Sequence, residues 1–474
     1  MCDLDLDEVT LTRRLAVREE RSKGWRTRAV DHFTESLVNP ATHPVDRVKH
    51  DTIDVLVWIL LKYMEAACLP LMWKRDIQKA FRRVPIATSY HDLCWVVFLH
   101  EGVAWASQHL GMPFGSVSAV YAWHRVGGFI LWLLVRILKI PCARYVDDFF
   151  GASAAGIKCT GGVAAFILTE LLGLPCDSAK SVDFSELMVV LGIQINLSFA
   201  EKLVSMVVQE SKARAWKNVI LSILECELLD PGLAAKLAGK LSFAVTAAAG
   251  RVGRAYVKPL YAQAAAPLAY HRISIWLSFA LVWWMAYLDV RPATQVSSTV
   301  SKRHVVGWCD AAGASRWLGA VVYANGLFFY ARCITPGFIW DQLLEREDNQ
   351  IGVQEMLGVL LLLESFSELL QGALLTLYID NDGVLGSCIK GSSHSPEINL
   401  FVGRMWLGLA FFKIDVVFVR VESEANIADG PTRDDVKLLE ALGAKQWQAK
   451  LPGWLQSLWT SIQADDLTMA PLLL

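Results

Sequence analysis

Asp147 and Asp148 stand side by side in Tyr145-Val146-Asp147-Asp148, followed by Phe149 and Phe150. Adjacent carboxylates among apolar neighbours are costly to bury unless a cation neutralises them. A third acid, Asp76, sits beside apolar residues in KRDIQKAFRRVPI (74–86). Such hard oxygen donors suit Mg²⁺, which takes one or two carboxylates plus substrate phosphates. Two ions held by Asp76 and Asp147 would activate a hydroxyl and stabilise a departing pyrophosphate. Further along come Asp310, Glu355, Asp380 and Asp429, spaced by 45, 25 and 49 residues and therefore on separate elements.

The elements that must position these acids are legible locally. Residues 74–86 read as a short strand leading into a turn, and 143–153 as two β runs around an acidic turn with Asp147 and Asp148 at its tip. Residues 305–333 alternate apolar and polar residues with Gly and Asn-Gly turn signals, as a β-meander does, with Asp310 at the end of its first strand. Residues 353–366 have helical period and open with Glu355. Residues 374–391 read as a buried strand ending at Asp380 and Asp382, and 414–433 as a strand, a loop and Asp429. Three strands, a helix, two strands and a helix make an α/β layout in which strand-end acids converge. Asp382 and Asp434 fall outside this pattern.

Composition bounds the alternatives. Of 474 residues, 54% are hydrophobic and 19% charged, which excludes a disordered chain, a coiled coil and a small disulfide scaffold. The net charge of −2 conceals an uneven distribution. Residues 1–300 carry 32 Lys and Arg against 27 Asp and Glu, whereas 301–435 carry 10 against 17. Ten scattered cysteines include no CxxC pair, so zinc and dithiol motifs lack support. The longest uncharged run, 273–288, has 16 residues, short of the 18 or more that mark a spanning helix. With no apolar leader, the expectation is an intracellular protein, cytoplasmic or nuclear, neither secreted nor integral to a membrane.

The ordered front-half motifs resemble those of reverse transcriptases, nearest to long-terminal-repeat and DIRS-type retrotransposons. Asp76 with Ala80 and Phe81 is similar to the family's first palm motif, LGMPFGSVSAVYAWHRV (110–126) to its LPFG motif, and YVDD (145–148) to its metal-binding hairpin. GLPCDSAKS (173–181) resembles the next motif, VVLGIQIN (189–196) the primer grip, and GWRTRAVDHFTESLVN (24–39) the fingers motif. The resemblance implies that Arg26 or Arg28, and Lys180, meet the triphosphate. It also implies that Phe81 excludes a 2′-hydroxyl, that the backbone and helix of the LPFG motif press on template and nucleotide, and that Phe114 and Gly115 let the nucleotide approach closely.

Downstream, residues 233–261 read as helical, with Lys236 and Lys240 on one face and Arg251, Arg254 and Lys258 on another. In a polymerase that stretch is a thumb tracking duplex phosphates.

The back half resembles the ribonuclease H domain that follows these polymerases. WCDAAGASRWLG (308–319) matches its opening Asp-Ala with a downstream Trp and Gly, and NIADGPTR (426–433) its closing motif. By that resemblance Asp310, Glu355, Asp380 and Asp429 hold two Mg²⁺ and cut the RNA strand of a hybrid.

The fold expected is therefore mixed α/β (α+β): a right-hand polymerase of fingers, ferredoxin-like palm and helical thumb, followed by a ribonuclease H-like domain. Fingers and palm are placed at 1–200, the thumb at 201–262, a connecting helix and linker at 263–303, the ribonuclease H-like domain at 304–436 and a tail at 437–474. The expected activity is RNA-directed DNA synthesis with ribonuclease H cleavage, by Asp76, Asp147 and Asp148 and by the back-half quartet. Mg²⁺ is the expected cofactor, two ions per site. RNA template, DNA primer, RNA–DNA hybrid and deoxynucleoside triphosphates are the expected partners. Two alternatives stand beside it: an inactive domesticated derivative that binds nucleic acid as a structural factor, and a membrane-associated protein whose acidic motifs are accidental.

Overall fold

The structure, a computed structural model, describes residues 8–21, 24–157, 160–248, 250–267, 271–298, 302–313, 315–344 and 351–464. The chain divides into two units: Met1–Ser205 with Gln295–Thr299, and Met206–Thr294 with Val300–Leu474.

In the first unit the strand Pro70–Asp76 is followed by the helix Val117–Trp132, the hairpin Cys142–Tyr145 and Asp148–Ala154, the helix Thr160–Leu171 and the strand Val182–Ser185. This βαββαβ succession forms one antiparallel sheet, in the order 142–145, 148–154, 70–76, 182–185. That is the ferredoxin-like arrangement expected of the palm. Trp73, Trp123, Ile130, Leu134, Phe149 and Ala165 form a core between the sheet and the two helices. The helix Ile53–Glu65 also packs on this sheet, burying Leu56, Leu60 and Met64. A second sheet joins the hairpin Leu11–Arg21 and Gly24–Asp31 to Trp95–His100 and Val103–Gln108. A third runs in the order Thr294–Ser297, Leu203–Val208, Ile193–Ser198, Leu187–Val190.

One expectation is revised here. Val117–Ile137 is a 21-residue helical segment long and apolar enough to cross a membrane by length and composition. Arg125 and Arg136 interrupt its uncharged runs, which hid it from a count of those runs. Ala119, Trp123, Ile130 and Leu134 face the core, while Arg125 pairs with Asp46 at 2.6 Å.

The second unit holds a six-stranded sheet, in the order Asp415–Arg420, Leu374–Ile379, His304–Ala311, Trp317–Ala324, Leu327–Ile334, Lys445–Gln446. The first three strands in sequence are antiparallel, and Leu374–Ile379 and Asp415–Arg420 extend the sheet in parallel. With the buried helix Ile351–Ser365 packed across it, this is a ribonuclease H-like sheet. Two helices, Asp382–Lys390 and Pro396–Phe411, intervene where two consecutive strands were expected. Parallel neighbours require such a crossover, and Asn381 and Ser395 cap the two N-termini.

Helix Ile275–Val290 is buried, as its apolar run implied. Trp283 stacks on Tyr256 at 4.1 Å and on Tyr287 at 5.1 Å. The helix expected across 233–261 is instead two, Pro231–Ala248 and Arg254–Ala264. Gly250 (φ 61°) and Gly253 (φ 93°) adopt left-handed backbone between them, which ends a right-handed helix. In the tail, Lys445–Gln446 joins the sheet edge and Trp447 packs on Phe329 and Phe366. Leu455, Leu458 and Trp459 are buried, so the described tail belongs to this unit's core.

Two candidate acidic sites

Asp76 ends its strand directly opposite Asp148, the first residue of the neighbouring strand. Opposed residues of an antiparallel pair lie about 4.5–5.5 Å apart at Cα, so the sheet itself joins the two motifs. The turn between Tyr145 and Asp148 holds only Val146 and Asp147, placing Asp148 in the strand rather than at the tip. Val146 adopts φ 53°, a strained conformation for a β-branched residue. Its carbonyl accepts from Trp123 Nε1 at 2.8 Å and Arg144 Nη1 at 2.7 Å, and the Asp147 carbonyl accepts from Ile77 N at 3.1 Å. The tip is thus fixed from three sides.

The acids differ in their partners. Asp76, buried, accepts from Lys180 Nζ at 2.8 Å. Asp148 pairs with Lys74 Nζ at 3.0 Å. Burial, then the neighbouring Asp76 and Asp148, push the Asp147 carboxyl above its usual range, and burial does the same to Asp148. Burial opposes the charge on Lys180, but the bond to Asp76 outweighs it and raises its pKa. The ammonium so neutralises a carboxylate that a metal would otherwise neutralise.

Phe81 and Phe114 meet with ring centroids 5.6 Å apart, and Phe114 is exposed. Gly115 has φ 107°, and a Cβ there would lie 2.3 Å from the Asp31 carbonyl oxygen, so glycine is required. Behind this loop Asp31 accepts from Arg14 Nε at 2.7 Å and pairs with His109 at 2.9 Å. Burial opposes its charge, but these partners prevail and hold its pKa low. Sequence reading missed this group; Asp31 and His109 are too far apart in sequence for spacing to signal a pair. Arg28 is half-buried in the strand Gly24–Asp31, and the side chain of Arg26 lies outside the described residues.

In the second unit Asp310, Glu355 and Asp380 each offer an oxygen within 4.8 Å of the others. Glu355 Oε2 and Asp380 Oδ1 are buried without a hydrogen-bond partner among the described residues. Burial, with Asp310 and Asp380 alongside, pushes Glu355 up to about 9. Burial also pushes Asp310 up to about 6, against the bond it accepts from Thr432 Oγ1 at 2.8 Å. Crowded acids with orphaned oxygens fit a divalent cation. Asp429 is not in this cluster; it opens the short helix Asp429–Thr432 and accepts from Arg433 Nε at 2.7 Å.

Lys236 and Lys240 are exposed on the helix Pro231–Ala248. Arg251, Arg254 and Lys258 do not form the expected single helix face. Arg251 precedes its helix and lies over Trp406, Arg254 donates to the Lys390 carbonyl, and Lys258 lies 3.4 Å from His394. The break at Gly253 turns them toward the helices at 382–411.

No family model matches the sequence, and no curated protein matches it. Solved structures do. The chain is similar to foamy viral protease–reverse transcriptases. A dRH form with double-stranded DNA aligns over 87% of this chain at 14% identity and a TM-score of 0.44. Complexes with RNA/DNA hybrid and with double-stranded DNA align over 87% and 88%, both at 14% identity and a TM-score of 0.42. This chain spans 65%, 50% and 78% of the three. The strand orders and acid positions above stand independently of that likeness.

Proposed function

We propose that the chain is an RNA-directed DNA polymerase with ribonuclease H activity, derived from a retrotransposon. The observation that carries this is the convergence of both acid sets: Asp76 opposite Asp148 on adjoining strands, and Asp310 and Asp380 from strand ends with Glu355 from the helix packed across them, within 4.8 Å of one another. The two sets meet on different sheets, in the order in which the two activities follow one another in the family. Accident accounts poorly for both.

In the first site Asp76 and Asp147 would hold Mg²⁺ and Asp148 would remain on Lys74. Lys180 would leave Asp76 for the triphosphate. Phe81, held by Phe114, would close the space beside the sugar. Exposed Lys236 and Lys240 would meet duplex phosphates. In the second site Asp310, fixed by Thr432, would hold metal with Glu355 and Asp380, and Asp429 would join after releasing Arg433. Bound Mg²⁺ supplies Lewis-acid polarisation and an acidified water or hydroxyl. Partners would be RNA template, DNA primer, hybrid and deoxynucleoside triphosphates.

The test that separates the two sites is cleavage of an RNA–DNA hybrid by Asp310→Asn. Loss of cleavage with primer extension intact supports the reading. Cleavage at the wild-type rate would overturn the nuclease assignment.

A further inference from the structure

The nuclease-like unit must bring a polyanion to a cluster of acids, within a segment, 301–435, that carries 10 basic residues against 17 acidic ones. Two arginines stand at the rim of that cluster. Arg420 is the last residue of its strand and pairs in register with Ile379, the residue before Asp380. Its guanidinium lies 2.9 Å from Asp382 and 4.0 Å from Glu422, both strongly exposed. Arg433 is four residues beyond Asp429, whose charge is felt at Asp310. It pairs with Asp429 at 2.7 Å while its side chain stays 71% exposed.

Arg420 rests on the solvent-facing Asp382, and Arg433, itself largely exposed, on the half-buried Asp429; pairs with so exposed a member contribute little to stability. Arg332 is the contrast: it also meets an exposed acid, Asp434, but lies over Trp317 at 4.8 Å with its side chain mostly covered. That arginine is fixed by packing. Arg420 donates as well to the Val421 carbonyl beside it, but among the described residues neither it nor Arg433 lies over an aromatic ring, and Arg433 would lose its partner were Asp429 to turn to a metal.

We propose that Arg420 and Arg433 are a phosphate clamp, two guanidinium groups parked on Asp382 and Asp429 that transfer to the nucleic-acid backbone on either side of the acid cluster. Guanidinium groups engage phosphate in bidentate fashion, and the exchange of one anion for another leaves no charge unpaired. This assigns Asp382, outside the acidic pattern, the role of holding Arg420 ready. The inference rests on the ribonuclease reading.

The test uses the full chain and a defined RNA–DNA hybrid, with Arg420→Gln, Arg433→Gln and the double variant. Each single change is expected to raise KM for cleavage about 3- to 10-fold at low salt, with kcat within about twofold. The dependence of log affinity on log salt should flatten by about one per arginine, and by about two in the double variant. Arg→Lys at either position should restore the salt slope. Wild-type KM and salt slope in the double variant would overturn the clamp, as would a fall in kcat with KM unchanged. Should the wild type fail to cleave any hybrid, the ribonuclease reading itself falls. The salt slope of hybrid binding in Ca²⁺ then decides the arginines separately.

Discussion

Glu355→Gln should stabilise the metal-free second unit while removing its response to Mg²⁺. Glu355 is buried beside Asp310 and Asp380, and its pKa is pushed from an ordinary 4.5 up to about 9. The folded state therefore binds a proton that the unfolded state releases, and stability falls as pH rises through this interval. The cost is absent below pH 4.5, grows with pH and levels off above about 9. At pH 7 it is about 3 kcal/mol. Glutamine cannot ionise, so most of that amount should return, less what the still-unpartnered buried amide loses. At about 2–4 °C per kcal/mol for a unit of this size, the second unit should melt about 5–10 °C higher in EDTA. Adding Mg²⁺ should raise the wild-type melting temperature and leave the variant's unchanged. A variant that melts at or below wild type in EDTA, or that Mg²⁺ still stabilises equally, would refute the account of a strained acid cluster.

Gly115→Ala should destabilise the first unit by about 2 kcal/mol or more, since both its φ of 107° and the 2.3 Å approach to the Asp31 carbonyl exclude a Cβ; urea unfolding measures it. Trp283→Ala removes the centre of the stack with Tyr256 and Tyr287, and should cost about 3–5 kcal/mol of second-unit stability by the same method. Phe81→Val should raise incorporation of ribonucleotides relative to deoxynucleotides at least tenfold in primer extension, about 1.4 kcal/mol of lost discrimination, with little change for deoxynucleotides.

The acids were legible because their chemistry depends on residue type and order, which local sequence carries directly. Glu355 on a helix follows from apolar period alone, whereas the short strand expected from residue 74 instead starts at Pro70 and ends at Asp76. The sheet orders came from the family resemblance, since nothing local says that 70–76 lies between 148–154 and 182–185. The break at Gly253 was missed because a glycine within an apolar helical period signals a stop only when its φ is known. The two crossover helices at 382–411 were missed because the first is short and rich in small and polar residues, and the second is apolar on most of its faces. Arg251, Arg254 and Lys258 looked solvated because sequence records charge and not what packs against it. The Asp429–Arg433 pair shows the same limit: spacing gave the acid, and geometry its present partner.

The central claim is tested most directly by primer extension on an RNA template with deoxynucleoside triphosphates and Mg²⁺, comparing wild type with Asp147→Asn. The wild type should give a template-length DNA product, and the variant none above background. Absence of product from the wild type, or equal product from Asp147→Asn, would contradict it.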